Sequence, residues 1–184
     1  MNETLKAIAD RYSCRDFTGE PVSDEKINAV VSAALASPSA VNRQPWHLIM
    51  VTDKSLIDEM DAAGMETLAN SEDKSGFERM KARGGKLFYN APCMLVILSD
   101  GSAYGMMDWG ILCENAALAA HATGLGNVIC GMAGLPLSGE SGDKFKSRMK
   151  FPDGFTFAVA LLFGEARSGK EPHELDWKKV TYVK

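Results

Sequence analysis

"SPSAVNRQPW", residues 37–46, joins two segments of opposite character. Upstream, Ile27, Val30, Val31, Ala34 and Leu35 recur at the spacing of one helical stripe, with Ser23 placed as N-cap, and the pattern stops before Pro38. Downstream, "WHLIMVT" (46–52) is a short apolar run that reads as a buried strand. The small and polar residues between them therefore form a helix-to-strand loop.

The same alternation extends in both directions. Before the loop lies a short opening helix over residues 3–10, with Leu5, Ile8 and Ala9 on one face, and "TGEP" (18–21) interrupts the chain. Beyond it, a helix is expected from Lys54 to Ala63 with Leu56, Ile57 and Met60 inward. Residues 64–86 hold four glycines and many charges and read as irregular helix and mobile loop, either a lid or a solvated insertion. Pro92 introduces the strand "CMLVILS" (93–99), and the longest helix spans Met107 to Thr123, ended by Gly124. "NVIC" is a short strand, residues 142–150 a charged helix, and "FTFAVALLFG" (155–164) the most apolar strand. The last twenty residues are polar, carry Pro172 and end in the strand-like "KVTYV". These elements predict an α+β sandwich in one domain, 1–184: a mixed, mainly antiparallel sheet flanked by helices on both sides.

Composition narrows the function. With 184 residues, 46% hydrophobic and 24% charged, the chain reads as an ordinary globular protein. A net charge of −4 argues against nucleic acid or an anionic membrane as partner. No apolar run is long enough to cross a bilayer, and the opening lacks a basic-then-apolar signal, so a cytoplasmic location is expected. Cys14, Cys93, Cys113 and Cys130 show no C-x-x-C spacing, which points to neither zinc nor disulfides.

"RYSCRDF" (11–17) is the stretch with chemical content. In an extended segment, alternate side chains lie on one side about 6.6 to 6.8 Å apart, so Arg11, Ser13 and Arg15 could grip an elongated anion. A phosphate monoester, carrying roughly −1.5 to −2 charges, suits two guanidinium groups and a hydroxyl. The competing reading pairs Arg11 and Arg15 with Asp10 and Asp16.

"RYSCRDF" and "SPSAVNRQPW" resemble the N-terminal R-x-S-x-R element and the second-helix loop of the flavin-dependent nitroreductase family. "LAAHATGLGN" (118–127), "FAVALLFGE" (157–165) and "GKEP" (169–172) are similar to later parts of the same family, in register along the chain. The resemblance implies FMN bound at the interface of an intertwined homodimer with exchanged C-terminal arms. It implies that Arg11 and Ser13, with Lys170, hold the phosphate and ribityl end, that Tyr12 is a further cofactor-binding residue, and that Arg15 reaches the pyrimidine edge. Pro38, Ser39 and Ala40 would come from the other subunit, braced by Asn42 and Gln44, and the amides near Cys130 and Gly131 would face the ring. Two departures stand out: Ser168 occupies a position often basic in the family, which leaves open whether Arg167 or Ser168 helps bind the phosphate, and "AGLPL" alters the rim beyond Gly131.

On this resemblance the flavin performs the redox step with NADH or NADPH as co-substrate, reducing nitroaromatics, quinones or a related small acceptor by ping-pong kinetics. No catalytic side chain and no metal is required. Dehalogenation or dehydrogenation on the same fold, and flavin sequestration without turnover, are the alternatives. "GLGN" (124–127) lacks the third glycine of a dinucleotide fingerprint. His47 and His121 read as structural, and Met106, Met107 and Trp109 as core. A helix apolar almost all round and an arm with nothing to lie on argue for a twin subunit, although the helix alone could be buried within one chain.

Overall fold

The computed structural model describes residues 2–138 and 141–184. Among the described residues six α-helices, α1 (Glu3–Asp10), α2 (Asp24–Leu35), α3 (Lys54–Asn70), α4 (Ser75–Ala82), α5 (Gly105–Ala122) and α6 (Gly142–Arg148), surround a sheet of four strands. The strands β1 (Trp46–Val51), β2 (Cys93–Ser99), β3 (Gly126–Cys130) and β4 (Thr156–Gly164) run in the spatial order β1-β2-β4-β3. All three pairings are antiparallel; the parallel component of the expected mixed sheet is an isolated bridge between Ser13 and Asn127.

Side-chain alternation along the central strands builds two cores. Met94, Val96 and Leu98 of β2, with Ala160 and Leu162 of β4, meet Ile57 and Met60 of α3, Met80 of α4 and Phe145 of α6. Cys93, Leu95 and Ile97, with Val159, Leu161 and Phe163, meet α2 and α5 on the other face. Strands buried on both faces have no polar side to show, which is why "CMLVILS" is uninterrupted by charge. Ala116, Ala117 and Ala120 of α5 are fully buried, their small side chains allowing close helix approach.

Residues 64–86 are more regular than their composition suggests. α3 continues through Gly64 to Asn70, and α4 follows. A Cβ at Gly64 would lie 2.4 Å from Leu87 Cδ2, so glycine here permits close packing instead of ending the helix. Its helix penalty of about 1 kcal/mol is offset by that contact.

Three other expectations are corrected. Met106 (77% exposed) and Met107 lie on the open side of the first turn of α5, not in the core, and Trp109 is half-buried. Leu35 is exposed at the end of α2, where the stripe leaves the sheet. "KVTYV" forms no strand: a single 3-10 turn at Trp177–Lys179 precedes extended, exposed chain, because β propensity without a neighbouring strand gives no ladder. Ser23 is the N-cap of α2, though its side chain makes no capping bond.

Candidate functional site

"RYSCRDF" is pinned by backbone bonds to three elements. Cys14 N donates to Asn127 O of β3 (2.8 Å), Phe17 N to Tyr89 O (3.2 Å), and Arg167 N donates to Asp16 O (2.9 Å). Cys14 and Phe17 are buried anchors, so Arg15 between them turns outward. The turn that receives Phe17 carries its own strain: Tyr89 and Asn90 have φ of 54° and 65°. Asn90 Nδ2 donates to the carbonyls of Phe17 and Thr18, and the buried carboxylate of Asp61 accepts the Phe88 amide. Burial pushes the Asp61 carboxyl above the usual range, against the lowering effect of the Phe88 and Leu87 amides.

A cavity of about 500 Å³ opens along this segment, lined by Tyr12, Ser13, Arg15, Arg83, Ser168 and Lys170 among others. Tyr12 Oη donates to Ser168 O at 3.2 Å, tying the tail to the N-terminal segment. The one carboxylate in the lining, Asp16, lies 3.5 Å from Arg167, so Arg167 is turned toward it. Three cations and the Ser13 hydroxyl thus face the space with their only acid already engaged. A second cavity, about 210 Å³, shares Arg15 and Arg83 and runs over Ile129, Cys130 and Gly131. Ile129 is 43% exposed although it is in a strand, and an ideal Cβ at Gly131 meets nothing within 4 Å. This is an open apolar ledge beside a cationic pocket, and an elongated ligand with one flat aromatic end and one phosphate end, such as FMN, fits that donor set.

Among the residues expected at the site, Tyr12, Ser13, Arg15, Cys130, Gly131 and Lys170 are brought to these two adjoining cavities. Arg11 is not in either lining: its Nε lies 3.4 Å from Glu114 of α5. Neither arginine pairs with Asp10 or Asp16; Asp10 meets Lys6 instead. Pro38, Ser39, Ala40, Asn42 and Gln44 belong to the loop after α2 and are in neither lining. There Ala40 N donates to Asp108 Oδ1 (3.1 Å), Gln44 N to Ser39 Oγ (2.9 Å), and Gln44 Nε2 to Asn42 Oδ1 (3.0 Å). Val41, Asn42 and Gln44 all have positive φ, and Val41 is 97% exposed, so this is a strained loop presented outward. Burial pushes the Cys130 thiol up to about 11, which disfavours the reactive thiolate.

Arg83 and Arg79 are site-lining residues that the motifs did not reveal. The signal was local charge, since Lys74, Arg79, Lys81, Arg83 and Lys86 crowd thirteen residues of an acidic chain. Among the described residues no cluster of three His, Cys, Asp or Glu side chains could hold a metal, and no helix is long and apolar enough to cross a membrane.

Known proteins share this architecture. A nitroreductase with bound FMN from Desulfitobacterium hafniense is 48% identical, with a TM-score of 0.96 and full coverage of both chains. Iodotyrosine deiodinase bound to FMN and 3-iodo-L-tyrosine has the same fold at 19% identity, a TM-score of 0.73 and coverage of 98% of this chain and 99% of that one. Among curated relatives, the NADPH-flavin oxidoreductase of Vibrio harveyi is 30% identical over 132 residues, 71% of this chain and 54% of its own. The chain therefore spans about half the length of that relative. The sequence profile of the nitroreductase family matches residues 8–161, from the end of α1 into β4, and the chain belongs to that family.

Proposed function

We propose that this protein is an FMN-dependent oxidoreductase that takes electrons from NADH or NADPH and reduces nitroaromatics, quinones or a related small acceptor. The observation that carries the reading is the pairing of a cationic pocket with an open ledge at Cys130 and Gly131, in a chain 48% identical throughout to an FMN-bound nitroreductase. Bound FMN would supply the redox chemistry, accepting a hydride from the nicotinamide and delivering two electrons to the acceptor.

The chain's own residues bind and orient. Ser13, Lys170 and Arg83 hold the phosphate end, and Tyr12 keeps the tail in place to do so. Arg15 sets a positive charge at the pyrimidine edge, worth around 4 kcal/mol at about 4 Å and an effective dielectric near 20. The amides near Cys130 and Gly131 orient the ring. Pro38, Ser39 and Ala40 of the partner subunit, braced by Asn42 and Gln44, close the opposite side, which accounts for a strained loop held outward in each chain. The working unit is a single-domain subunit in a cytoplasmic homodimer with exchanged C-terminal arms. One ledge serving donor and acceptor in turn gives ping-pong kinetics.

The test begins with colour. FMN-loaded protein should be yellow, bleach with NADH or NADPH under nitrogen, and recover colour on adding a nitroaromatic or quinone. Yellow protein that never bleaches is a flavin-sequestering protein, and protein that takes up no FMN refutes the reading. Arg15→Ala should lower the flavin midpoint potential, whereas Lys170→Ala should weaken FMN binding about tenfold or more, the scale of one hydrogen bond to a charged group. Equal effects of both on potential contradict the division of roles.

A further inference from the structure

Asp108 is buried to 2% exposure in the first turn of α5, and no cation pairs with it among the described residues. The helix N-terminus favours negative charge there, but an apolar side chain would fill the same space without burying a charge. Its Oδ1 accepts the Ala40 amide at 3.1 Å, from 68 residues away in the chain. Its Oδ2 is buried without a hydrogen-bond partner among the described residues. A carboxylate left half-satisfied in the interior is costly, so the one group it does hold calls for a reason. Two turns further along the same face of α5, Asn115 Nδ2 donates to the buried Ser37 Oγ at 2.9 Å.

The two anchors match the segment between them. From Asn115 back to Asp108 the helix rises about 10.5 Å, and the chain from Ser37 to Ala40, fully extended, reaches about 10 to 11 Å. Residues 37–40 thus run antiparallel to α5, and Ser39 between the anchors is extended, with φ −142° and ψ 160°. Beyond Ala40 the chain reverses through Val41 and Asn42 in the left-handed region, closed by Arg43 N on Ala40 O and Gln44 N on Ser39 Oγ. A β-branched residue at φ 48° keeps that conformation only where its surroundings impose it. The bonds of the turn are internal to the loop, and Arg43 reaches Asp100 (3.6 Å) at the surface, so Asp108 is the buried link between the turn and the helix. We propose that Asp108 is a positioning residue of the flavin site: with Asn115, it holds Ser39 and Ala40 where each subunit covers its partner's flavin. The assignment rests on the flavin oxidoreductase reading above, in which this loop crosses to the partner's ring.

FMN affinity and the visible circular dichroism of the bound flavin test it on the full chain, with sedimentation and far-UV circular dichroism in parallel. Asp108→Ala should weaken FMN binding about tenfold, the scale of one hydrogen bond to a charged group, and alter the visible dichroism, while the dimer and the far-UV spectrum persist. Asp108→Asn keeps an oxygen for the Ala40 amide and should bring both readouts to within a few-fold of the parent. Ala40→Pro deletes the same bond from the loop side, since proline has no N–H and follows an extended residue without clash. It should reproduce the loss, and Asp108→Ala added to it should change little further, as expected of two partners in one interaction. Parent-like FMN affinity and dichroism in Asp108→Ala, Asp108→Asn as impaired as Asp108→Ala, or additive effects of Asp108→Ala and Ala40→Pro overturn the assignment while the flavin reading stands. So does dissociation of Asp108→Ala into monomers, which would make Asp108 an assembly residue. Should Asp108→Ala fail to fold, parent-like FMN affinity and dichroism in Ala40→Pro overturn the assignment, and their loss supports it. Failure of the unaltered protein to take up FMN overturns the flavin reading and this assignment together.

Discussion

β2 and the segment from Glu165 to Lys184 are opposite extremes of the chain. Every residue of β2 is buried, its side chains are divided between two helical layers, and it pairs with β1 on one side and β4 on the other. The terminal segment is tied near its start by Arg167 to Asp16, then exposes Leu175, Trp177, Tyr182 and Val183, the last at 94%. Each contains a β-prone run, "CMLVILS" in β2 and "KVTYV" at the end of the terminal segment, yet only the first forms a strand. The difference is whether one chain supplies the neighbours. Stability is concentrated where it does, and the proposed flavin site lies at the edge of the region where it does not.

Removing residues 171–184 is the harshest way to break this contrast. The truncated chain should keep its far-UV circular dichroism, since no strand or core residue is lost. It should also shift from dimer to monomer in sedimentation and lose most of its bound FMN. A truncated protein that remains a dimer with full flavin content would show that the arm has no role in assembly. The converse change is Leu95→Ala, at a fully buried position of β2 facing α2 and α5. It should cost about 2–5 kcal/mol in denaturant unfolding while leaving the stoichiometry of the folded protein unchanged. Both series must be run at one protein concentration, because the apparent stability of a dimer depends on it.

Legibility in the sequence follows the same division. β2 and β4 are readable because burial on both faces demands an unbroken apolar run, and α2 because one buried face demands a stripe. Gly64 misleads because a glycine required for contact with Leu87 is indistinguishable, in sequence, from one that ends a helix. Met106 and Met107 mislead because an apolar residue carries no mark of which side of the helix will be covered. At the site, the alternation Ser13, Arg15 is visible once Cys14 and Phe17 are seen as anchors, whereas the contact of Arg11 with Glu114 spans a hundred residues and leaves no local pattern. Arg79 and Arg83 reach the cavities only because α3 and α4 are ordered helices, which the charge and glycine content of 64–86 conceal.

Asp61 sits where the self-sufficient core meets the cavity, and it offers the smallest and most discriminating test. Its carboxylate belongs to the buried interior yet accepts the amide that sets the Phe88–Asn90 turn, and its charge helps raise the Cys130 thiol. Burial raises its folded-state pKa above the unfolded value. The native state therefore keeps a proton that the unfolded chain has lost, and stability must fall as pH rises from the unfolded pKa, near 3.9, to the raised folded one. Above that second value the loss is complete and the contribution is flat. Asp61→Asn removes the ionisation while retaining an oxygen that can accept from Phe88, so its stability at neutral pH should differ from the parent by about 1 kcal/mol or less. Denaturant unfolding across pH 4–8 should show the parent losing stability relative to the variant over the lower part of that range, with the gap constant thereafter. A constant gap throughout would mean that Asp61 ionises as freely in the folded protein as in the unfolded chain, and that solvent from the cavity reaches further into the interior than the packing around Phe88 allows.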